Sequence, residues 1–307
     1  MLLDSRKLQT HGVYDSQTKL GQFYTLEDFI MQNKIGEGSF AKVYLVREKK
    51  TGTIFAAKIL KQIFDENDTV QITNLSREVN IISRINHPSV LKFILFSPIN
   101  FKHKQKPVII TEFARNGTLK HIIDRDHEHK MNPILNDTYK LMVIYGIASG
   151  MKYIHDNNII HRDLKTENIL IDEFNFPKIA DFGLSKIDHQ RQESMSTVSI
   201  EGFKGTPLYM APESWIKAEY SKTSDVYSFG IIVYEIMTFE NPLNNLNFFE
   251  LLNKVRQGIC FEFDDSISES YKKLVNECIS HDPKTINILY LFYLFYERGI
   301  FASIFFV

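Results

Sequence analysis

The sequence predicts an α+β chain of two lobes about a cleft: a small antiparallel-sheet N-lobe with one helix, then a larger, mainly helical C-lobe. Three observations predict it. Short apolar runs separated by turn residues fill the stretch from Phe29 to Phe113. Long helical periods dominate after Gly117, and no internal repeat or low-complexity linker intervenes. The 307 residues suit one large domain or two lobes, and 44% hydrophobic residues suffice for a sizeable core.

Residues 1–27 are polar and aperiodic and read as an N-terminal extension. Strands are expected over Asp28–Ile35, Ala41–Arg47 and Thr53–Leu60, with Lys49-Lys50-Thr51-Gly52 as a hairpin loop. Leu75, Val79 and Ile82 recur at helical spacing, so a helix is expected over Leu75–Asn86, stopped by His87-Pro88. Two further apolar runs, Val90–Phe96 and Pro107–Phe113, complete the sheet region. Asp137–His155 carries the small residues Gly146, Ala148, Ser149 and Gly150 in an apolar period, as a buried helix would. Ser224–Phe239 is similarly apolar and reads as the central helix; Phe248–Gln257 and Ser268–Ser280 read as smaller amphipathic ones.

A net charge of -1 gives no bulk electrostatic reason to expect nucleic acid or a membrane surface as partner. The two cysteines, Cys260 and Cys278, lack metal-ligand spacing and exclude a disulfide framework, which fits a reducing compartment. The start, Met1-Leu2-Leu3-Asp4-Ser5-Arg6-Lys7, lacks the apolar core of a signal peptide, so an intracellular, cytoplasmic location is expected.

The chemistry concentrates in His161-Arg162-Asp163-Leu164-Lys165-Thr166-Glu167-Asn168, followed by Asp181-Phe182-Gly183. Phosphoryl transfer needs one carboxylate beside the attacking hydroxyl and oxygen ligands for the ions that neutralise a triphosphate. Asp163 supplies the first; Asn168 and Asp181 supply the second. The two segments together resemble the catalytic and metal-binding loops of the eukaryotic protein kinases.

That resemblance covers residues 29 to 283, with an N-lobe of about 28–113 and a C-lobe of about 117–283. It implies ATP as co-substrate with Mg²⁺ (or Mn²⁺), and protein substrates with Ser/Thr acceptors. Gly36-Glu37-Gly38-Ser39-Phe40-Ala41-Lys42-Val43 resembles the phosphate-covering Gly-rich loop, with Ala41 in place of the third glycine. Lys58, in Ala56-Ala57-Lys58, would reach the α- and β-phosphates, oriented by Glu78 on the following helix. In Thr111-Glu112-Phe113-Ala114, the Glu112 carbonyl and the Ala114 backbone would meet the adenine edge, with Thr111 guarding the back pocket. Ile35, Val43, Ala56 and Leu170 are further ATP-binding positions by the same likeness.

Asp163 would accept the substrate hydroxyl's proton and Lys165 would steady the γ-phosphate, a lysine typical of Ser/Thr kinases. Arg162 and Lys186 would receive a phosphate on the activation segment, where Ser194, Ser196, Thr197 and Ser199 are candidate targets of an upstream kinase. Thr206, in Gly205-Thr206-Pro207-Leu208-Tyr209, would bond Asp163 and Lys165. Asp225, in Asp225-Val226-Tyr227-Ser228-Phe229-Gly230, would anchor the catalytic loop, and that wording resembles the tyrosine-kinase-like group of Ser/Thr kinases.

The likeness stops after His281-Asp282-Pro283, where the family continues with an arginine that pairs with the glutamate at the Glu213 position. No arginine is in register here, so Glu213 is expected to lack that partner. Residues 284–307 read as a divergent last helix or, preferred slightly, as a gene-model artefact; Glu297-Arg298 breaks the run too early for a membrane span. The rival to an active enzyme is a pseudokinase serving as a binding or scaffolding module, for which Ala41 and this tail are the support.

Overall fold

The computed structural model describes residues 24–38, 40–62, 69–128, 134–187, 207–244, 246–257 and 261–280. Ser194, Ser196, Thr197, Ser199, Thr206 and the 284–307 tail lie outside the described residues, as does most of the 1–27 extension. Two compact units divide at Arg115/Asn116.

In the first unit, β1 (Phe29–Glu37), β2 (Ala41–Glu48), β3 (Ile54–Leu60), β4 (Phe93–Ser97) and β5 (Val108–Glu112) form one antiparallel sheet in the order β1-β2-β3-β5-β4. Alternation sends Val46, Phe55 and Ala57 to one face, where they pack with Phe29, Leu95 and Ile110. The rings of Phe29 and Phe55 meet edge to face at 5.6 Å. Helix α1 (Thr69–Ile82) buries Leu75, Val79 and Ile82. It begins six residues before the expected Leu75, because its first turns, Thr69-Val70-Gln71-Ile72-Thr73-Asn74, are mostly polar and carry little periodic signal. It also ends earlier, at Ile82. Ile85 is buried beyond the helix end, so its apolar character prolongs the period past the last helical turn.

The second unit is mainly helical. It contains α2 (Leu119–Glu128), α3 (Asp137–Asp156), α4 (Pro212–Lys217), α5 (Lys222–Thr238), α6 (Phe248–Gln257) and α7 (Glu269–Cys278). Asn136 caps α3 by accepting from the Tyr139 N–H. Ser221 and Ser224 cap α5 reciprocally, each side chain accepting the other's backbone N–H. Val226, Phe229, Ile231, Ile232, Val233 and Ile236 are all buried, so α5 is apolar on every side and forms the centre of this unit. Two small antiparallel pairs, β6 (Ile159–Ile160) with β9 (Lys186–Ile187) and, between them in the chain, the hairpin of β7 (Ile169–Ile171) with β8 (Pro177–Ile179), carry the loops that hold the site. The fold is thus the α+β class that the sequence predicts.

Gly230 of α5 lies against Cys278 of α7 and the following Ile279. A Cβ there would lie 2.6 Å from the Cβ of Cys278 and 3.0 Å from Cγ2 of Ile279, and neither is a free side-chain tip. Overpacking of this kind costs ~1–3 kcal/mol, more than the ~0.5–1 kcal/mol that alanine gains over glycine within a helix. Gly230→Ala is therefore expected to lower the thermal midpoint by several degrees. A scanning-calorimetry trace with an unchanged or higher midpoint would contradict this packing.

Candidate active site

The first unit holds a cation and its orienting carboxylate. The β2–β3 register pairs Val43 with Lys58 and Leu45 with Ala56, which places Val43, Ala56 and Lys58 on one face, opposite Val46 and Ala57. From that face Lys58 Nζ meets Glu78 Oε1 of α1 at 3.2 Å, with both side chains only partly exposed. Gly38 N–H donates to the Ala41 carbonyl at 2.9 Å and closes the turn between β1 and β2. A side chain at Gly38 would meet nothing within 4 Å, so the space beside this turn is open. Ala41, standing where a third glycine was expected, is buried. Ile35 is 46% exposed at the end of β1.

Thr111 lies on β5 opposite Ala56 and donates its hydroxyl to the Glu112 carbonyl at 3.1 Å. That carbonyl retains a second lone pair. The Glu112 carboxylate accepts from the Lys92 N–H at 2.8 Å, and Ala114 is buried just beyond the strand.

The second unit, by itself, holds Asp163, Asn168 and Asp181. Asp163 is gripped by its neighbours: Asn168 Nδ2 donates to its carbonyl at 2.7 Å and to Oδ2 at 3.0 Å, and Lys165 Nζ lies 3.0 Å from the same Oδ2. With its amide hydrogens so used, Asn168 offers Oδ1, an acceptor suited to a cation. The loop is tied to the next segment by Ala180 N–H, which donates to the Asn168 carbonyl at 2.9 Å. His161 reinforces this link, its Nε2 lying 3.0 Å from the Ala180 carbonyl while its ring meets Phe182 at 5.0 Å. Asp181 follows with φ of 62° and an exposed side chain. An aspartate tolerates this left-handed backbone better than most residues, and the conformation sets it apart from the buried Ala180 and Phe182 on either side.

Asp225, on the first turn of α5, accepts three hydrogen bonds from beneath. Its Oδ2 takes the His161 N–H at 2.8 Å and lies 2.8 Å from His155 Nε2; its Oδ1 takes the Arg162 N–H at 2.9 Å. A carboxylate only accepts, so His155 Nε2 is the protonated nitrogen. Burial pushes the Asp225 carboxyl up, but the His155 hydrogen bond and charge, with His161, bring it below the usual carboxylate range. Arg162, held at φ of 68°, stacks its guanidinium over the Tyr220 ring at 5.1 Å. Lys186 pairs with Ile160 in the antiparallel β6–β9 pair. Leu170 lies on β7 opposite Lys178. Glu213 accepts from the Ser224 hydroxyl at 3.0 Å.

One group escaped the sequence reading. Glu235, 1% exposed, accepts from the Tyr209 hydroxyl at 2.8 Å, and that oxygen lies 3.0 Å from Thr166 Oγ1. Central helix, catalytic loop and the segment before α4 are thereby joined through one buried chain. Burial raises the Glu235 carboxyl, only partly offset by the bond from Tyr209. The available signal was a single carboxylate inside the apolar run Val226–Ile236.

Among the described residues no cluster of three His, Cys, Asp or Glu groups is placed to hold a metal, and no helix is long and apolar enough to cross a membrane. The family model for the protein kinase domain matches residues 29–285. Among curated proteins, the putative serine/threonine-protein kinase A of Trypanosoma brucei brucei is 28% identical over 260 residues, covering 83% of this chain and 57% of that protein. The dual specificity protein kinase shkC of Dictyostelium discoideum is 33% identical over 267 residues, 84% of this chain and 48% of its own length. An Aurora kinase of Saccharomyces cerevisiae is 31% identical over 267 residues, 85% of this chain and 66% of that protein. The match thus spans about half the length of the first two of these relatives.

Proposed function

This chain belongs to the protein kinase family, and we propose that it transfers the γ-phosphoryl group of ATP to serine or threonine hydroxyls of protein substrates. The observation that carries this reading is the Asp163 carboxylate, held by Asn168 and Lys165 on a loop that Asp225 anchors. In the transfer the substrate oxygen bonds to the γ-phosphorus, the bond to the ADP oxygen breaks, and the hydroxyl proton passes to Asp163. Lys165 offsets charge on the moving phosphoryl group, and Lys58, oriented by Glu78, binds the α- and β-phosphates.

The donor set fits Mg²⁺, which is bound by one or two protein oxygens and completes its shell with phosphate and water. Asn168 Oδ1 and the exposed Asp181 carboxylate would be those oxygens. When bound, the ion neutralises charge on the phosphate oxygens. The wording around Asp225 supports placement in the tyrosine-kinase-like group, and Lys165 supports Ser/Thr acceptors. An upstream kinase acting on Ser194, Ser196, Thr197 or Ser199 would supply a phosphate for Arg162 and Lys186.

The test is Mg·ATP-dependent labelling of a generic basic protein, comparing the parent with Lys58→Met. The parent is expected to produce phosphoserine and phosphothreonine, and the variant to lose about 10²–10³-fold in rate, as when one preorganised charge-stabilising donor is removed. Label confined to tyrosine, or a variant as active as the parent, would overturn the reading.

A further inference from the structure

On the sheet face opposite Val43, Ala56 and Lys58, the first unit carries a cavity of about 230 Å³. Its floor is apolar: Met31 of β1, Tyr44 of β2, Ile59 of β3 and Phe101 of the β4–β5 loop are each half-buried. Met31, Ile59 and Phe101 continue outward from the packed cluster around Val46 and Ala57, so the floor belongs to the folded core. The rim is formed by five lysines, Lys42, Lys61, Lys102, Lys104 and Lys106.

Among the described residues, only Glu37 offsets this charge. It lies 3.7 Å from Lys42 and 2.9 Å from Lys61 and is shared with Lys34. Lys102, Lys104 and Lys106 have no ion-pair partner among the described residues. Among the described residues, the rim thus carries a local excess of positive charge on a chain of net charge -1.

The lysine-bearing loop is built. Asn100 Oδ1 accepts the N–H groups of Lys102 at 2.9 Å and Lys104 at 3.1 Å, the Asn100 N–H donates to the Lys104 carbonyl at 2.9 Å, and the His103 N–H donates to the Asn100 carbonyl at 2.8 Å. At its end the Pro107 carbonyl accepts from Leu60 N–H at 2.9 Å, tying the loop to β3. The backbone that carries these lysines is thus pre-organised, which lowers the ordering cost of binding.

We infer that this cavity docks an acidic segment of a separate protein, with one bulky apolar side chain seated on the floor and its flanking carboxylates among the lysines. The volume lies below the ~300–1,000 Å³ of pockets for drug-sized molecules and matches a single large side chain. A recessed floor favours a projecting side chain over a bilayer, which is flat and would reach only the rim. The chain's own first 23 residues are a poor electrostatic match, with Arg6, Lys7 and Lys19 set against Asp4 and Asp15. Because the floor and the Lys58 face lie on opposite sides of β2 and β3, the docked segment leaves Val43, Ala56 and Lys58 untouched.

The experiment is fluorescence anisotropy with the full chain and a labelled peptide Asp-Glu-Asp-Phe-Glu-Asp at about 0.15 M salt, where long-range attraction is screened. The expected result is saturable binding, weakened about tenfold or more by alanine in place of the peptide's phenylalanine, and by Lys102→Glu with Lys104→Glu in the protein. Both lysines are exposed loop residues, and a melting curve for the double variant verifies that it folds. Equal binding of the phenylalanine and alanine peptides would reduce the site to generic charge attraction and overturn the inference. Capture of phosphatidylserine vesicles without peptide binding would overturn it in favour of a membrane. The stretch Phe64-Asp65-Glu66-Asn67-Asp68 has similar chemistry in this chain itself. Peptide binding that appears only after Asp65→Asn, Glu66→Gln and Asp68→Asn are combined would assign the cavity to that stretch and overturn a separate partner. The readout is binding, so failure here is distinguishable from failure of the proposed transfer activity.

Discussion

Asp163→Asn is expected to lower kcat for phosphoryl transfer by about 10²–10⁴-fold, the usual contribution of a positioned general base, while the affinity for ATP and the melting temperature stay near those of the parent. The geometry separates these effects. Asparagine has the size of aspartate and retains a carbonyl oxygen for the Asn168 Nδ2 bond, now 3.0 Å long. The backbone carbonyl, which takes the shorter 2.7 Å bond from the same amide, is untouched. The amide cannot take up a proton, and its neutrality removes the charge that Lys165 now faces at 3.0 Å. Single-turnover measurements at saturating ATP would isolate the chemical step. A variant that turns over like the parent would remove Asp163 from the base role and leave it as a loop-ordering residue.

Asp225→Asn is expected to act on stability instead, by roughly 3–5 kcal/mol, the range for breaking a buried charged arrangement. Asp225 is 1% exposed and receives the N–H groups of His161 and Arg162 together with His155 Nε2–H. Asparagine offers one acceptor oxygen and turns an NH₂ toward donors, so at least one buried donor loses its acceptor. At roughly 2–4 °C per kcal/mol for a domain of this size, the thermal midpoint falls by on the order of 10 °C.

The pH dependence gives a second signature. The folded carboxyl is held below its ordinary value, so its contribution is fully present above the unfolded carboxylate pKa of ~3.9. It is lost as the pH falls through the folded value. The gap in midpoint between parent and variant should therefore be constant near neutrality and narrow in acid. A gap that persists unchanged at low pH would mean that packing, not the charged hydrogen bonds, sets the cost.

How much of this was legible beforehand depends on the range of each signal. The α6 span and the bounds of α3 and β2 follow from local periodicity and turn residues, and the observed elements differ from the expected ones by a residue or less. The short strand pairs of the second unit were not legible. Ile159–Ile160 is a strand only because Lys186–Ile187 pairs with it, and two residues carry no period of their own. Helix α4, six residues after Ala211, was equally silent for want of length.

At the site, contiguous motifs carried residue identity: the run from His161 to Asn168, then Asp181-Phe182-Gly183, with Lys58 and Glu78 upstream. These name which groups are present, since phosphoryl transfer demands particular residue types in a loop. Only the tertiary structure decided which atoms meet. The three donors on Asp225, the Thr166–Tyr209–Glu235 chain and the lysine-rimmed cavity each assemble residues from separate segments. No local pattern encodes those meetings, because they arise from burial: a polar group shut away from water must find a partner wherever the packed chain happens to bring one.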